Sequence, residues 1–271
     1  MISDFLASSW SFFFRWPIAN ADVYRPMAVF LGPCLQTAVF LFFSVLAAVV
    51  LGSEQYSWMP FLGWIGLSML TGFFHEDGLA DTADSLGVSK FNTSESLEKI
   101  HLTFKDPRLG TFGVSALVLF WLFRYSTSAQ GLMGVFPYAL ACLFSRTISL
   151  GLGLYFYPRV PSASSARSSH IMQTVTAWSG FTVLLFSVLL GIVFCFLTVE
   201  FFSWIGFGQP VWMFEPQSII YIGLSVFAAG GLSGFMLMKL VRRSEALNGD
   251  LLGATVCFSE VILTICFLRF F

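Results

Sequence analysis

The sequence predicts an all-α polytopic integral membrane protein with about seven transmembrane helices, a cytoplasmic N-terminus and one amphipathic interfacial helix in the loop 75–109. Three observations predict it. Of the 271 residues only 11% are charged while 56% are hydrophobic, with a mean hydropathy of +0.80, whereas a soluble domain carries roughly 25% charged residues. Uncharged stretches long enough to cross a hydrocarbon layer of ~30 Å at ~20 residues each recur along the chain. The basic residues, finally, fall on alternate loops.

In chain order the spans run over 27–51, 56–74, 110–124, 133–157, 176–201, 216–238 and 252–268. The first 26 residues do not read as a signal peptide. Ser8 to Phe14 is too short an apolar core, Arg15 and Arg25 follow it, and no small-residue cleavage site is evident. A segment lying in the interface fits better. Arg15 and Arg25 precede the first span; Lys90, Lys99, Lys105 and Arg108 lie between the second and third. Arg159 and Arg167 follow the fourth, and Lys239, Arg242 and Arg243 follow the sixth. Eleven of the fourteen Lys and Arg thus sit on alternate loops, and loops 52–55, 125–132 and 202–215 hold none. The positive-inside rule then places the N-terminus and the loops 75–109, 158–175 and 239–251 in the cytoplasm. The five cysteines (Cys34, Cys142, Cys195, Cys257, Cys266) all fall in spans without CxxC spacing, as packing residues do. Gly230 and Gly234 form a GxxxG, read as helix packing.

The chemistry concentrates after the second span, in His75-Glu76-Asp77-Gly78-Leu79-Ala80-Asp81-Thr82-Ala83-Asp84. If the helix continues, Asp77, Asp81 and Asp84 stand at i, i+4 and i+7 on one face. Three like charges in that register need a counter-charge. Mg²⁺ suits them, because it prefers carboxylate oxygens and substrate phosphates. Glu76, Asp77, Asp81 and Asp84 are therefore the metal candidates. A solvated acidic helix end is disfavoured by the macrodipole if these residues close a membrane helix at its C-terminus. A zinc-protease motif is absent, since position 79 is Leu.

Asn92-Thr93-Ser94 then offer caps to a helix with Glu95 and Glu98 in its first turn. Leu97, Ile100, His101 and Phe104 form its apolar stripe, with His101 as an interfacial packing residue. Lys105-Asp106-Pro107-Arg108-Leu109-Gly110-Thr111-Phe112-Gly113 enters the third span. Its proline and glycines suit a tight entry where backbone N–H groups approach a ligand, and Lys105 and Arg108, taken alone, suit phosphate oxygens and positive-inside anchoring equally well. A further polar node, Arg242, Arg243, Asn248, Gly249, Asp250 and Gly253, opens the last span. Arg146 and Glu260 are ionisable residues inside spans, each costing several kcal/mol unless paired or wetted, and are expected to lie close together.

These motifs resemble the cobalamin synthase family, adenosylcobinamide-GDP ribazoletransferases. The acidic stretch His75–Asp84 resembles that family's signature, Lys105–Gly113 its second motif, and Asn248-Gly249-Asp250-Leu251-Leu252-Gly253-Ala254 through Glu260 its C-terminal motif. Ser145-Arg146 matches an intramembrane Ser-Arg pair, and Phe13-Phe14-Arg15-Trp16-Pro17 is a weaker match. Two positions depart: Ser85 stands where the family usually has Gly, and Cys257 where it usually has an acidic residue. The segment 160–169 also lacks the usual glycine-bearing stretch after Arg159.

The resemblance implies a single membrane-embedded catalytic domain over 1–271, in the inner (cytoplasmic) membrane, with its active face cytoplasmic. It implies attack by a ribose hydroxyl of α-ribazole, or of its 5′-phosphate, on adenosylcobinamide-GDP, with release of GMP and Mg²⁺ as cofactor. Asp84 or Asp81 would accept the proton, and Lys105 and Arg108 would neutralise the diphosphate. His75, Asp106, Arg146, Asn248, Asp250 and Glu260 would bind substrate. Membrane lipid is an expected partner, as is a homo-oligomer or another enzyme of cobamide assembly; nucleic acid is not. A CDP-alcohol phosphotransferase signature differs, because Ala80-Asp81 comes one place early and no Arg follows. An ion-coupled transporter would explain Arg146 and Glu260 but not four acidic residues within nine positions.

The charge pattern makes a topological prediction. Cysteines at positions 89 and 165 should be shielded from a membrane-impermeant thiol reagent in intact cells, while one at 128 should react. Labelling of position 89 from outside would overturn the orientation.

Overall fold

A computed structural model of the protein describes residues 2–14, 26–51, 58–87, 94–128, 135–160, 177–204 and 216–270. Arg15, Trp16, Pro17, Arg25, Lys90, Asn92, Thr93 and Arg167 lie outside these, as do positions 89 and 165 and nearly all of 160–169. Among the described residues every element is helical. The order is α1 (Ile2–Phe13), a 3-10 turn (Pro26–Leu31), α2 (Gly32–Leu51), α3 (Trp58–Thr71), α4 (Phe74–Gly87), α5 (Ser94–Thr103) and α6 (Thr111–Ser128). There follow α7 (Phe136–Phe156), α8 (Ala177–Trp204), α9 (Pro216–Ser244) and α10 (Gly249–Phe270).

Local chemistry explains where these helices begin. Pro137 and Pro216 open α7 and α9, where a missing N–H costs nothing. Asn248 caps α10, its Oδ1 accepting the Leu251 N–H at 2.9 Å. The second span is not one continuous helix. Gly72 (φ 65°) and Phe73 (φ 58°) both adopt the left-handed conformation and end α3, and α4 restarts at Phe74. Glu76 and Asp77 consequently lie in a first turn, where the macrodipole favours carboxylates. The dipole argument made from a continuous helix therefore does not apply.

Among the described residues five helices are long and apolar enough to cross a membrane: Met27–Leu51, Phe136–Phe156, Trp178–Leu197, Gln217–Ser244 and Gly249–Arg269. With 14 residues α3 reaches only ~21 Å. α6 has 18 residues but carries Arg124 within its length. The helices α2, α3, α7 and α10 pack around Phe40, Trp64, Tyr138 and Phe267. By contrast α8 and α9 are mostly exposed, presenting Phe186, Leu197, Leu224 and Phe227 outward. A Cβ on Gly230 would meet nothing within 4 Å and one on Gly234 only Leu152, so the GxxxG does not seat another helix of this chain at Gly230.

α10 runs antiparallel to α4 and touches it along its N-terminal half. A Cβ on Gly78 would lie 2.5 Å from the Asp250 carbonyl oxygen, and one on Gly253 3.4 Å from the His75 backbone. Glycine at 78 is what lets the two backbones meet. Cys257, at the position that departs from the family, donates its thiol to the His75 carbonyl at 3.4 Å. All five cysteines are free. On α5 the stripe is only partly as expected: Ile100 is buried and Leu97 and Phe104 half-buried, but His101 is exposed. Ser128 is 1% exposed, so a cysteine there would be shielded whichever side it faced; exposed Ser126 is the better reporter.

Candidate active site

Asp77, Asp81 and Asp84 fall on one face of α4. Asp77 is exposed, Asp81 and Asp84 half-buried, and the Gly78 contact brings half-buried Asp250 alongside. Asp81 shows what this crowding does. Burial first, and then the charges of Asp77, Asp250 and Asp84, push its carboxyl from the ordinary 3.8 up to about 7.

Asp84 plays a distinct part. Its Oδ2 accepts the Gly110 N–H at 2.7 Å and its Oδ1 the Gly113 N–H at 2.8 Å. Both donors are orphan amides at the start of α6, so the carboxylate caps that helix from another element. A Cβ on Gly110 or Gly113 would fall within 2.4 Å of those same oxygens, which is why both are glycine. The amides expected to approach a ligand approach Asp84 instead. Removing Asp84 therefore costs a helix cap as well as a charge.

Glu76 points the other way. It is buried, and its Oε1 accepts Arg124 Nη1 at 2.7 Å and Ser68 Oγ at 2.5 Å. Its ion pair with Arg124 sets it apart from the face that carries Asp77, Asp81 and Asp84. Arg124 also grips Glu260, donating from Nε to Oε1 at 2.8 Å and from Nη2 to Oε2 at 3.1 Å. Arg146 Nη1 reaches the same Glu260 Oε2 at 3.3 Å. Arg146 and Glu260 do pair, but the stronger partner is Arg124, which sequence reasoning missed. A span boundary drawn at residue 124 put that arginine at the membrane surface, yet it is 1% exposed. The aromatic run around it was the signal. Trp64, Phe120 and Trp121 present their faces to its guanidinium at 4.5, 4.3 and 4.9 Å.

Gln36, the one side-chain amide in the first span, was also missed. Its Oε1 accepts Arg146 Nε at 2.9 Å and lies 2.9 Å from His75 Nε2. His75 and Arg146 therefore belong to one buried cluster below the carboxylates. Asn248 is occupied as the α10 cap. On the α5–α6 loop Asp106 binds Arg108 through Nε at 2.9 Å and Nη2 at 2.8 Å, and those bonds hold its carboxyl down at about 2. The same bonds raise the Arg108 guanidinium above its ordinary value. Arg108 is 85% exposed and Lys105 is exposed, so both cations are available beside the Asp84 clamp. Among the described residues no three acidic, His or Cys side chains converge into a metal cage. Mg²⁺ needs no such cage, since it is held by one or two carboxylates together with substrate phosphates and water. The all-oxygen set and the mutual repulsion recorded at Asp81 fit it.

A family model described as cobalamin-5-phosphate synthase matches residues 5–268. Relatives named adenosylcobinamide-GDP ribazoletransferase include one from Vibrio cholerae, 29% identical over 96% of this chain and 91% of its own. Another, from Allorhizobium ampelinum, is 30% identical over 95% and 93%, and one from Leptothrix cholodnii is 33% identical over 61% and 64%. No solved structure matches.

The site makes two predictions. Glu260→Ala strands two buried guanidinium groups on one remaining carboxylate and should cost about 3–5 kcal/mol of stability. Glu260→Ala with Arg146→Ala, which leaves Arg124 paired with Glu76, should unfold at a higher temperature in detergent than Glu260→Ala alone. Additive losses would refute the pairing. For Asp81, the unfolded carboxyl ionises near 3.8 and the folded one near 7. Between those values the folded state keeps a proton that the unfolded state has lost, so its contribution to stability falls as pH rises. In metal-free buffer Asp81→Asn should gain on the wild type from pH 4 to 7, as read by thermal unfolding.

Proposed function

The chain belongs to the cobalamin-5-phosphate synthase family, and on that premise we propose that it joins adenosylcobinamide-GDP to α-ribazole, or to α-ribazole 5′-phosphate, with release of GMP. The observation that carries this reading is the crowded carboxylate face where α4 meets the start of α10.

Phosphoryl transfer asks a protein mainly for positioning and for charge aimed at the transferring group. A ribose hydroxyl attacks the phosphorus nearest the aminopropanol arm. The bond from that phosphorus to the oxygen shared with GMP breaks, and GMP leaves with the electron pair. Asp81 accepts the hydroxyl proton, standing half-buried on the same face as Asp77 and close to Asp250. Asp77 and Asp250 would hold Mg²⁺, which when bound supplies positive charge against the diphosphate. Lys105 and Arg108, standing on the loop that Asp84 clamps, neutralise charge on the leaving side; Arg108 must exchange Asp106 for a phosphate to do so. Asp84 acts through position, fixing that loop against the acidic helix.

The same reading sets the protein in the inner membrane as one catalytic domain with seven crossings and a cytoplasmic N-terminus. α6 supplies one of the two shorter crossings. α3 supplies the other, completed by the first turn of α4. The acidic face then opens to the cytoplasm, where nucleotide-linked substrates are found, and the exposed apolar sides of α8 and α9 meet lipid.

Purified in detergent with Mg²⁺, the protein should release GMP from adenosylcobinamide-GDP only when α-ribazole or its phosphate is present, and no CMP from CDP-linked alcohols. Asp77→Ala and Asp81→Ala should abolish turnover without loss of stability. Asp84→Ala should lose stability as well, by about 1–2 kcal/mol for a lost helix cap. Lys105→Ala and Arg108→Ala should weaken turnover by degrees. Normal rates in the Asp77 and Asp81 variants would refute the mechanism.

A further inference from the structure

An open cleft lies between α1, the 3-10 turn, α2, α4, α7 and α10. Phe12, Phe13 and Phe74 line it, with Phe12 edge-on to Phe13 at 4.8 Å and to Phe74 at 6.5 Å. Its polar lining includes Gln36, His75 and Arg146. The cleft runs close to the carboxylates, because Gly249 and Phe74, which line it, stand one residue from Asp250 and three from Asp77.

The hydrogen bonds in this cleft leave two atoms unmatched. Arg146 Nε can only donate, so the Gln36 atom 2.9 Å from it is the amide oxygen. His75 Nε2 faces that same oxygen and must carry a proton, which leaves Nδ1 as a bare acceptor. Gln36 Nε2 and His75 Nδ1 are both buried without a partner. Buried polar atoms are matched by something in nearly all proteins. The occupant must therefore offer one acceptor and one donor against otherwise aromatic and apolar walls.

We propose that this cleft is the acceptor subsite, receiving the flat heteroaromatic base of a nucleoside whose sugar then lies at the carboxylate face. This assignment rests on the transferase reading above. A benzimidazole-type base matches the walls, with a single ring nitrogen to accept from Gln36 Nε2 and a sugar hydroxyl to donate to His75 Nδ1. Guanine carries more polar edge atoms than these two groups can match, a corrin with its amide arms carries more still, and a lipid chain would leave both polar atoms stranded.

The test uses the full-length protein in detergent, with the KM for α-ribazole and for adenosylcobinamide-GDP measured separately. Donor-free binding of α-ribazole is followed by equilibrium dialysis. Phe12→Ala, at a half-buried position, should raise the α-ribazole KM about tenfold or more and weaken dialysis binding in parallel. The donor KM should stay within about twofold, and Phe12→Tyr should restore most of the loss. Gln36→Leu should act in the same direction. Unchanged α-ribazole KM and binding in Phe12→Ala would mean that the cleft holds water or lipid only and would overturn the assignment. A rise confined to the donor KM would overturn it too. A wild type that binds α-ribazole in a Phe12-dependent way but releases no GMP would support the subsite while refuting the transferase reading.

Discussion

Two arginines and two glutamates, together neutral and almost completely buried, hold this molecule at its centre. Glu76, Arg124, Glu260 and Arg146 form a chain of charge-assisted hydrogen bonds between α4, α6, α10 and α7, and Gln36 and Ser68 extend it to α2 and α3. Any one of these charges alone would be prohibitive in an apolar interior, but alternation of sign makes the set tolerable. The cost of breaking the alternation ties six helices to one arrangement. Few apolar contacts could specify that arrangement, because the helices are apolar on nearly every face.

The active face depends on that tie. α4 is a short helix that begins inside the protein, after two left-handed residues, and carries acidic residues on two sides. Glu76 turns inward to Arg124 and fixes the helix's rotation. Asp77 and Asp81 are thereby turned toward the opening. Gly78 then sets the depth, because only a glycine lets α10 approach until Asp250 joins the group. Asp84 closes the far end by capping α6, so the loop carrying Lys105 and Arg108 cannot drift from the carboxylates. Positive and negative elements of the site are thus positioned by a single helix whose own position is set by buried charge.

Function follows from this layering. Carboxylates and exposed cations occupy the open end, suited to a diphosphate and its counterions. Beneath them Gln36, His75 and Arg146 meet an aromatic cleft, suited to a flat apolar group attached to a polar one. The ion network lies below, about halfway along α10, and seals the site from the rest of the bundle. A reaction that brings together a nucleotide-linked amphiphile and a nucleoside needs this gradient from charge to apolar surface within a short distance.

By itself the sequence determined the membrane class, since 11% charge cannot clothe a wet surface. It also determined the acidic face, since i, i+4, i+7 spacing survives any rotation of the helix. The cost of isolated charge in hydrocarbon was enough to pair Arg146 with Glu260. The motifs at 75–84, 105–113 and 248–260 carried the family. Only the tertiary structure decided how those residues divide their labour. That Glu76 is an anchor, that Asp84 is a helix cap, and that Arg124 is the main partner of Glu260 depend on contacts across as many as 136 positions. No local period encodes such contacts. Periodicity fails here for a physical reason: lipid and protein interior are equally apolar, so hydrophobic pattern does not reveal which side of a membrane helix faces in. The break at Gly72–Phe73 was hidden for a related reason, because an apolar run reads the same whether the backbone within it is continuous or reversed.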